Sequence, residues 1–189
     1  MPFDPTLYGP EVAAVLALDG NGERPMTLTQ TGCSSLEARK RLQTASAKDL
    51  FPVSHAGQAA LAGLWLYFGC WNEAHEIAQD ISNREGNYWH AIVHRQEPDA
   101  WNSGYWFRQV GLHPIFGELH QFANAIGLNF GSQWDPFAFI DLCEKARSNP
   151  GSELQRQAIA VQKIEWQLLF DFCATPAVSD RAAPNVPGR

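Results

Sequence analysis

The sequence predicts an all-α fold, organised as a single-domain bundle of eight or nine helices. Apolar residues recur at helical spacing along most of the chain, and no segment alternates apolar and polar residues for long enough to indicate a strand. A length of 189 residues and an apolar fraction of 45% suit one domain with a sizeable core. The helical domain is predicted to span residues 1–175. Residues 176–189 are predicted to form a disordered or loosely packed tail, because Pro and Gly interrupt any helix there.

The first predicted helices include one that should lie at the centre of the domain. They cover residues 9–18, 34–46 and 55–69. Ser34 and Ser54 precede the second and third of them as candidate N-caps, because a serine hydroxyl can accept a hydrogen bond from a free amide of the first turn. The third segment is apolar nearly all round, which is typical of a buried helix, and Gly69 is suited to end it.

Six further segments follow the same period. They are residues 71–81, 87–96, 100–110, 114–126, 135–147 and 153–173. Pro98 discourages a helical conformation at the residue before it, so the fifth helix should end there. Asp99 and Asp135 are candidate N-caps for the helices that follow them, and Gly111 is placed to terminate the first of these two.

Charge and cysteine content exclude some functional classes. A net charge of −6 provides no broad basic surface for nucleic acid or an anionic membrane. The start of the chain lacks a signal-peptide pattern, and no apolar run approaches the length of a membrane span. The cysteines Cys33, Cys70, Cys143 and Cys173 form no C-x-x-C motif. We therefore expect reduced thiols and a cytoplasmic protein, with Cys70 and Cys143 acting as small core residues.

The stretch YWHAIVHRQEP contains a candidate metal site. On a helix, His90, His94 and Glu97 lie within about 60° of one another, whereas the neighbouring aromatic and aliphatic residues face elsewhere. Two histidines and a carboxylate can hold Zn²⁺ or a similar divalent ion. Ala91 stands where the H-E-x-x-H motif requires Glu, so a metalloprotease of that kind is excluded. Further ligands could come from His55, His75, His113 or His120. The alternative is a pair of hydrogen-bonded histidines that line a helix interface or a groove.

Arginines beside aromatic residues form a second candidate site. Arg95 adjoins His94, and Arg108 follows an aromatic run; Arg84 lies nearby in the sequence. A guanidinium next to an apolar surface can bind a carboxylate or phosphate on a small anionic molecule. We therefore place Arg95 and Arg108 with His90 and His94 in a candidate ligand-binding set. The alternative is ordinary surface pairing with nearby carboxylates.

Residues 62–81 resemble a tetratricopeptide repeat. Trp65, Phe68 and Gly69 occupy the positions of that repeat's tryptophan, its apolar residue and its glycine, and Trp71 stands one residue early for its aromatic residue. The segment 88–116 also resembles an uncharacterised bacterial protein family of unassigned function. The resemblances imply antiparallel helical hairpins and no particular activity. In such hairpins Trp65 and Trp71 should belong to the core.

Two functional hypotheses follow. The first is a helical binding or scaffold protein with an aromatic- and His-lined concave surface, whose partner is a protein segment or a small anionic molecule. It is favoured slightly because no complete catalytic set is visible in the sequence. The second is a metal-dependent or histidine-based enzyme that uses His90, His94 and Glu97 with a divalent metal. A third histidine close to His90 and His94 would favour the metal hypothesis.

Overall fold

The computed structural model describes residues 3–176 and confirms the all-α fold. Within these residues there are ten α-helices and no strand: α1 (Pro10–Leu16), α2 (Leu36–Thr44), α3 (Ala47–Leu50), α4 (Gly57–Tyr67), α5 (Trp71–Gln79), α6 (Arg84–Gln96), α7 (Ala100–Val110), α8 (Phe116–Ala125), α9 (Pro136–Arg147) and α10 (Glu153–Ala174). Two short 3-10 helices, Pro5–Tyr8 and Gly20–Gly22, accompany them. The short helix α3 is the one that the apolar period did not predict. Apart from Pro176, the predicted tail lies outside the described residues.

Two of the predicted N-caps are wrong. Ser35 caps α2, because its hydroxyl accepts a hydrogen bond from the amide of Ala38 at 3.1 Å. The hydroxyl of Ser34 instead donates to the carboxylate of Asp19 at 2.6 Å. Ser54 does not cap α4 either, because α4 begins at Gly57 and its N-cap position is Ala56; the hydroxyl of Ser54 donates to a backbone carbonyl three residues earlier. Both helices begin later than predicted, so each predicted serine lies one or two residues before the N-cap position.

Helix α6 begins before the apolar period does. Asn83 caps it by accepting a hydrogen bond from the amide of Gly86 at 2.8 Å. A Cβ atom at Gly86 would lie 2.4 Å from the side chain of Ile81, so this position needs a residue without a side chain. The extra turn over Arg84–Gly86 contains no large apolar residue, so it does not show the apolar period of the rest of the helix.

Helix α4 lies at the centre of the core and determines where α6 lies. It packs against α3, α5, α6 and α10. At the crossing with α6, a Cβ atom on Gly63 would lie 2.7 Å from the ring of Trp89, so only glycine permits this approach. The indole of Trp166 on α10 donates to the carbonyl of Gly63 at 2.8 Å. Trp65 is 4% exposed and Trp71 is 8% exposed, which confirms that both are core residues.

Truncating Trp65 should destabilise the domain strongly. Trp65→Ala is expected to lower the free energy of unfolding by ~3–5 kcal/mol, because it leaves a cavity in the core. Chemical denaturation measures the loss. Leu36→Ala is the control, since Leu36 is 72% exposed on α2 and its truncation should change stability by about 0.5 kcal/mol or less. Equal losses in the two variants would contradict the central position of Trp65.

The expectation of four reduced cysteines is wrong for one pair. Cys33 and Cys70 form a disulfide across a sequence separation of 37 residues, and Cys70 is also the residue that precedes α5. Cys143 and Cys173 are free and buried, which confirms the core position predicted for Cys143. Because disulfides persist mainly in oxidising compartments, the pair weighs against the cytoplasmic location that the sequence suggested. Among residues 3–176, no helix is both long enough and apolar enough to cross a membrane.

Candidate metal centre

Three histidines from two helices meet at one point. His75 lies on α5, and His90 and His94 lie one turn apart on α6. The Nε2 atom of His90 lies 2.9 Å from that of His75 and 3.1 Å from that of His94. The predicted common face of His90 and His94 therefore exists, and a third imidazole from the preceding helix faces it.

Tryptophans hold this arrangement in place. The ring of Trp71 stacks on His75 with centroids 4.9 Å apart, and its indole donates to the backbone carbonyl of Val93 at 3.1 Å, which joins α5 to α6. Trp106 on α7 stacks on His90 with centroids 4.2 Å apart. Two of the three imidazoles are thus oriented by packing as well as by their contacts with one another.

Burial lowers the pKa of two of these imidazoles, those of His90 and His75, and so favours their neutral forms. His90 is 4% exposed and His94 is 8% exposed, while His75 is half-buried. The histidines therefore lie mostly inside the protein and do not line an open concave surface. Burial lowers the pKa of His90 to about 3, with further lowering from His94 and His75. The pKa of His75 is also lowered, mainly by burial. A neutral imidazole is the form that binds a metal ion.

Glu97 contacts the imidazole of His94 on the side that faces away from His90. Its Oε2 atom lies 3.1 Å from Nδ1 of His94, on the opposite side of the ring from the nitrogen that faces His90. In the structure this carboxylate is therefore not grouped with the three Nε2 atoms, although the sequence suggested it as a ligand. A carboxylate that accepts from the distal nitrogen of a ligating histidine fixes its orientation and tautomer.

Three neutral imidazoles cannot satisfy all of these contacts. Each neutral ring carries one N–H. If His94 donates from Nδ1 to Glu97, its Nε2 is a lone pair and must accept from Nε2 of His90. His90 then has no lone pair at Nε2 for His75, and its buried Nδ1 has no partner in any case. One cation bound between the three Nε2 atoms would accept a lone pair from each of them. The Nδ1–H of His94 would then remain free to donate to Glu97.

The distances fit a small tetrahedral ion. Zn–N bonds of about 2.0–2.1 Å at tetrahedral angles separate two ligand nitrogens by roughly 3.3 Å. The observed separations of 2.9 and 3.1 Å are a few tenths of an ångström shorter. Small rotations of the rings would make room for the ion. His75, His90 and His94 form one group of potential metal ligands, and one ring nitrogen of each lies within 4.8 Å of the others.

Neither arginine of the candidate ligand-binding set lies with the histidines. Arg95 is 1% exposed, forms an ion pair with the buried Glu165 on α10, and lies over the ring of Phe139 at 4.5 Å. It therefore belongs to the core on the other side of α6. Arg108 is exposed on α7, beside Gly104. The sequence placed Arg95 near His94 by adjacency, but neighbouring helical residues point about 100° apart.

The remaining histidines lie in other surroundings. His113 is buried, and its Nδ1 accepts weakly from the amide of Ile115 at 3.4 Å. His55 contacts the carboxylate of Glu85 at 3.4 Å. His120 contacts the carbonyl of Gly131 at 3.1 Å. Among the possible additional ligands that the sequence offered, His75 is the one that reaches His90 and His94.

His113 should make the fold sensitive to acid. Burial, aided by Arg84 and His55, lowers its pKa to about 4 from an ordinary value of 6.5. The unfolded chain therefore binds a proton at this residue in a pH range where the folded chain does not, so stability falls as pH drops from 6.5 towards 4. In the presence of a chelator, His113→Gln should lose about 3 kcal/mol less than the wild type over this range. Parallel pH dependences of the two unfolding free energies would contradict this role.

Comparisons with known proteins bear on neither fold nor function. No family model, no curated protein and no solved structure matches this chain. The likeness of residues 62–81 to a tetratricopeptide repeat therefore stays a prediction. What distinguishes the described part of the chain is the meeting of three imidazole nitrogens, together with the carboxylate of Glu97 behind one of them.

Proposed function

We propose that the chain binds one divalent transition-metal ion, Zn²⁺ in the first place, through the Nε2 atoms of His75, His90 and His94. The observation that carries this proposal is the convergence of the three nitrogens at 2.9 and 3.1 Å. Buried neutral imidazoles are suitable ligands for zinc and its neighbours in the transition series. The proposal differs from the set suggested by the sequence in replacing Glu97 with His75 as a ligand.

We propose further that the site is enzymatic and hydrolytic. Structural zinc sites almost always have four protein ligands, whereas three leave one position for water or substrate. A bound Zn²⁺ would supply an activated water there. Glu97 would hold Nδ1–H of His94, and Trp106 would keep solvent from His90. His75 is the most exposed of the three imidazoles, so substrate would approach on its side. This favours the enzyme hypothesis over the binding protein that the sequence slightly favoured.

Metal stoichiometry tests the binding step. After equilibration with Zn²⁺ and removal of the excess, elemental analysis of the wild type should find one ion per chain. Co²⁺ in its place should produce the visible absorption bands of a tetrahedral site. His75→Ala, His90→Ala and His94→Ala should each lose the ion. His120→Ala is the matched control and should retain it, because His120 lies outside the cluster. Retention of stoichiometric zinc by all three cluster variants would contradict the proposal.

Turnover tests the catalytic step separately. Activated aryl esters and phosphate esters serve as general probes of a metal-bound nucleophile. The zinc-loaded wild type should hydrolyse at least one of these classes faster than the chelated protein and faster than zinc-treated His90→Ala. If zinc binds stoichiometrically but none of the probes is hydrolysed above the level of His90→Ala, the site binds metal without this chemistry.

A further inference from the structure

An exposed aromatic surface lies on α7 and α9. Trp101 is 73% exposed, and Tyr105 and Phe137 are each 41% exposed. Leu112, just after α7, is 79% exposed. Four of the seven large hydrophobic residues that the described chain exposes thus lie on α7, just after it, or on α9. Exposed apolar side chains that cluster next to polar ones are typical of interaction surfaces.

The surface is continuous between the two helices. Trp101, Gly104, Tyr105 and Arg108 follow one another at helical spacing and share a face of α7. The rings of Trp101 and Tyr105 lie 15° from parallel with centroids 6.3 Å apart. A Cβ atom at Gly104 would lie 3.6 Å from the guanidinium of Arg108 and 3.7 Å from the ring of Phe137. Because Gly104 has no side chain, the surface is recessed at this position, between side chains from α7 and α9.

This surface is distinct from the metal centre. On α7, Trp106 lies about 140° around the helix from Trp101 and about 100° from Tyr105. Trp106 faces His90, with ring centroids 4.2 Å apart. Trp101 and Tyr105 therefore point towards solvent and away from the three histidines. The proposed metal site therefore does not account for this exposed surface.

Unpaired charges of both signs border the aromatic rings. Arg108 on α7 and Asp141, one turn after Phe137 on α9, are both exposed. Neither forms an ion pair within the described part of the chain, whereas the exposed Arg41 and Arg156 each pair with a carboxylate on their own helix. The surface therefore offers one free cation and one free anion next to its apolar centre.

We infer that this surface, formed by Trp101, Tyr105, Arg108, Phe137 and Asp141, is a two-fold interface between two copies of the chain. In a two-fold contact each residue meets its counterpart reciprocally, so Arg108 would pair with Asp141 of the partner subunit and Asp141 with the partner's Arg108. The aromatic rings would meet between these pairs. Tryptophan, tyrosine and arginine are the residues that most often carry the binding energy of protein interfaces.

Analytical ultracentrifugation of the full-length chain tests this inference. The wild type should show a concentration-dependent monomer–dimer equilibrium, with or without zinc, because the surface is separate from the metal centre. Trp101→Ala and Arg108→Glu should each weaken dimerisation by at least ~10-fold. Arg108→Glu combined with Asp141→Arg should recover most of the loss, since the charges are then exchanged. Leu36→Ala is the matched control, because Leu36 is 72% exposed on α2 and should have no effect.

Three outcomes would overturn the inference. A wild type that stays monomeric at all accessible concentrations removes the interface. A dimer that is insensitive to Trp101→Ala and Arg108→Glu places the contact elsewhere. A monomeric wild type that dimerises only after deletion of residues 177–189 would assign the surface to the C-terminal segment of the same chain.

Discussion

Zinc is expected to raise the free energy of unfolding of the wild type by about 2.7 kcal/mol at a free concentration of roughly 100 times its Kd. The physical reason is that His75 and the His90–His94 pair come together only when α5 packs against α6. The unfolded chain does not present three imidazoles at one point. For a domain of this size the thermal midpoint should rise by roughly 5–11 °C. Thermal unfolding with and without zinc measures the shift.

The informative quantity is the zinc-induced shift within each variant, which does not depend on how stable the variant is by itself. His90→Ala should lose the shift, and His120→Ala should keep it. Glu97→Gln should keep a smaller shift, because loss of a carboxylate behind a ligating histidine typically weakens metal binding by about 10–100-fold. An undiminished shift in His90→Ala would mean that zinc stabilises the fold from another site.

Removing the buried arginine Arg95 should destabilise the fold strongly. Arg95 and Glu165 form an ion pair in which the arginine side chain is 1% exposed and the glutamate side chain is fully buried. The same carboxylate accepts a hydrogen bond from the hydroxyl of Tyr88 at 3.0 Å. Arg95→Met would leave the carboxylate of Glu165 buried without its counter-charge. We expect a loss of about 3–5 kcal/mol in the free energy of unfolding, measured by chemical denaturation.

A double variant separates the cost of an unpaired charge from the loss of packing. Arg95→Met combined with Glu165→Leu removes both charges, so it should be less destabilised than Arg95→Met alone. Arg156→Met is the surface control, because the Arg156–Glu153 pair is largely exposed and contributes at most about 1 kcal/mol. If Arg95→Met loses no more stability than Arg156→Met, the buried pair does not hold α6 to α10.

Several helices could be predicted closely because their signals are local. Helix α7 covers the predicted residues 100–110, since Asp99 caps it and Gly111 ends it. Helix α9 begins as predicted, because Asp135 accepts from two first-turn amides and Pro136 follows it. A cap or a terminating glycine acts within a few residues, so its effect can be predicted from the adjacent residues in the sequence. The predicted cap at Ser34 was wrong by one residue, because two adjacent serines offer the same hydroxyl and the helix begins after the second of them.

By itself, the sequence determined the all-α fold and the common face of His90 and His94, because helical periodicity requires only residues within a few turns of one another. Only the tertiary structure decided that His75 completes the cluster, that Cys33 pairs with Cys70, and that Arg95 is a core residue. These three contacts join residues separated by 15, 37 and 70 positions. Contacts of that kind depend on how whole helices pack, and α6 reaches its place through the close approach of Gly63 and Trp89.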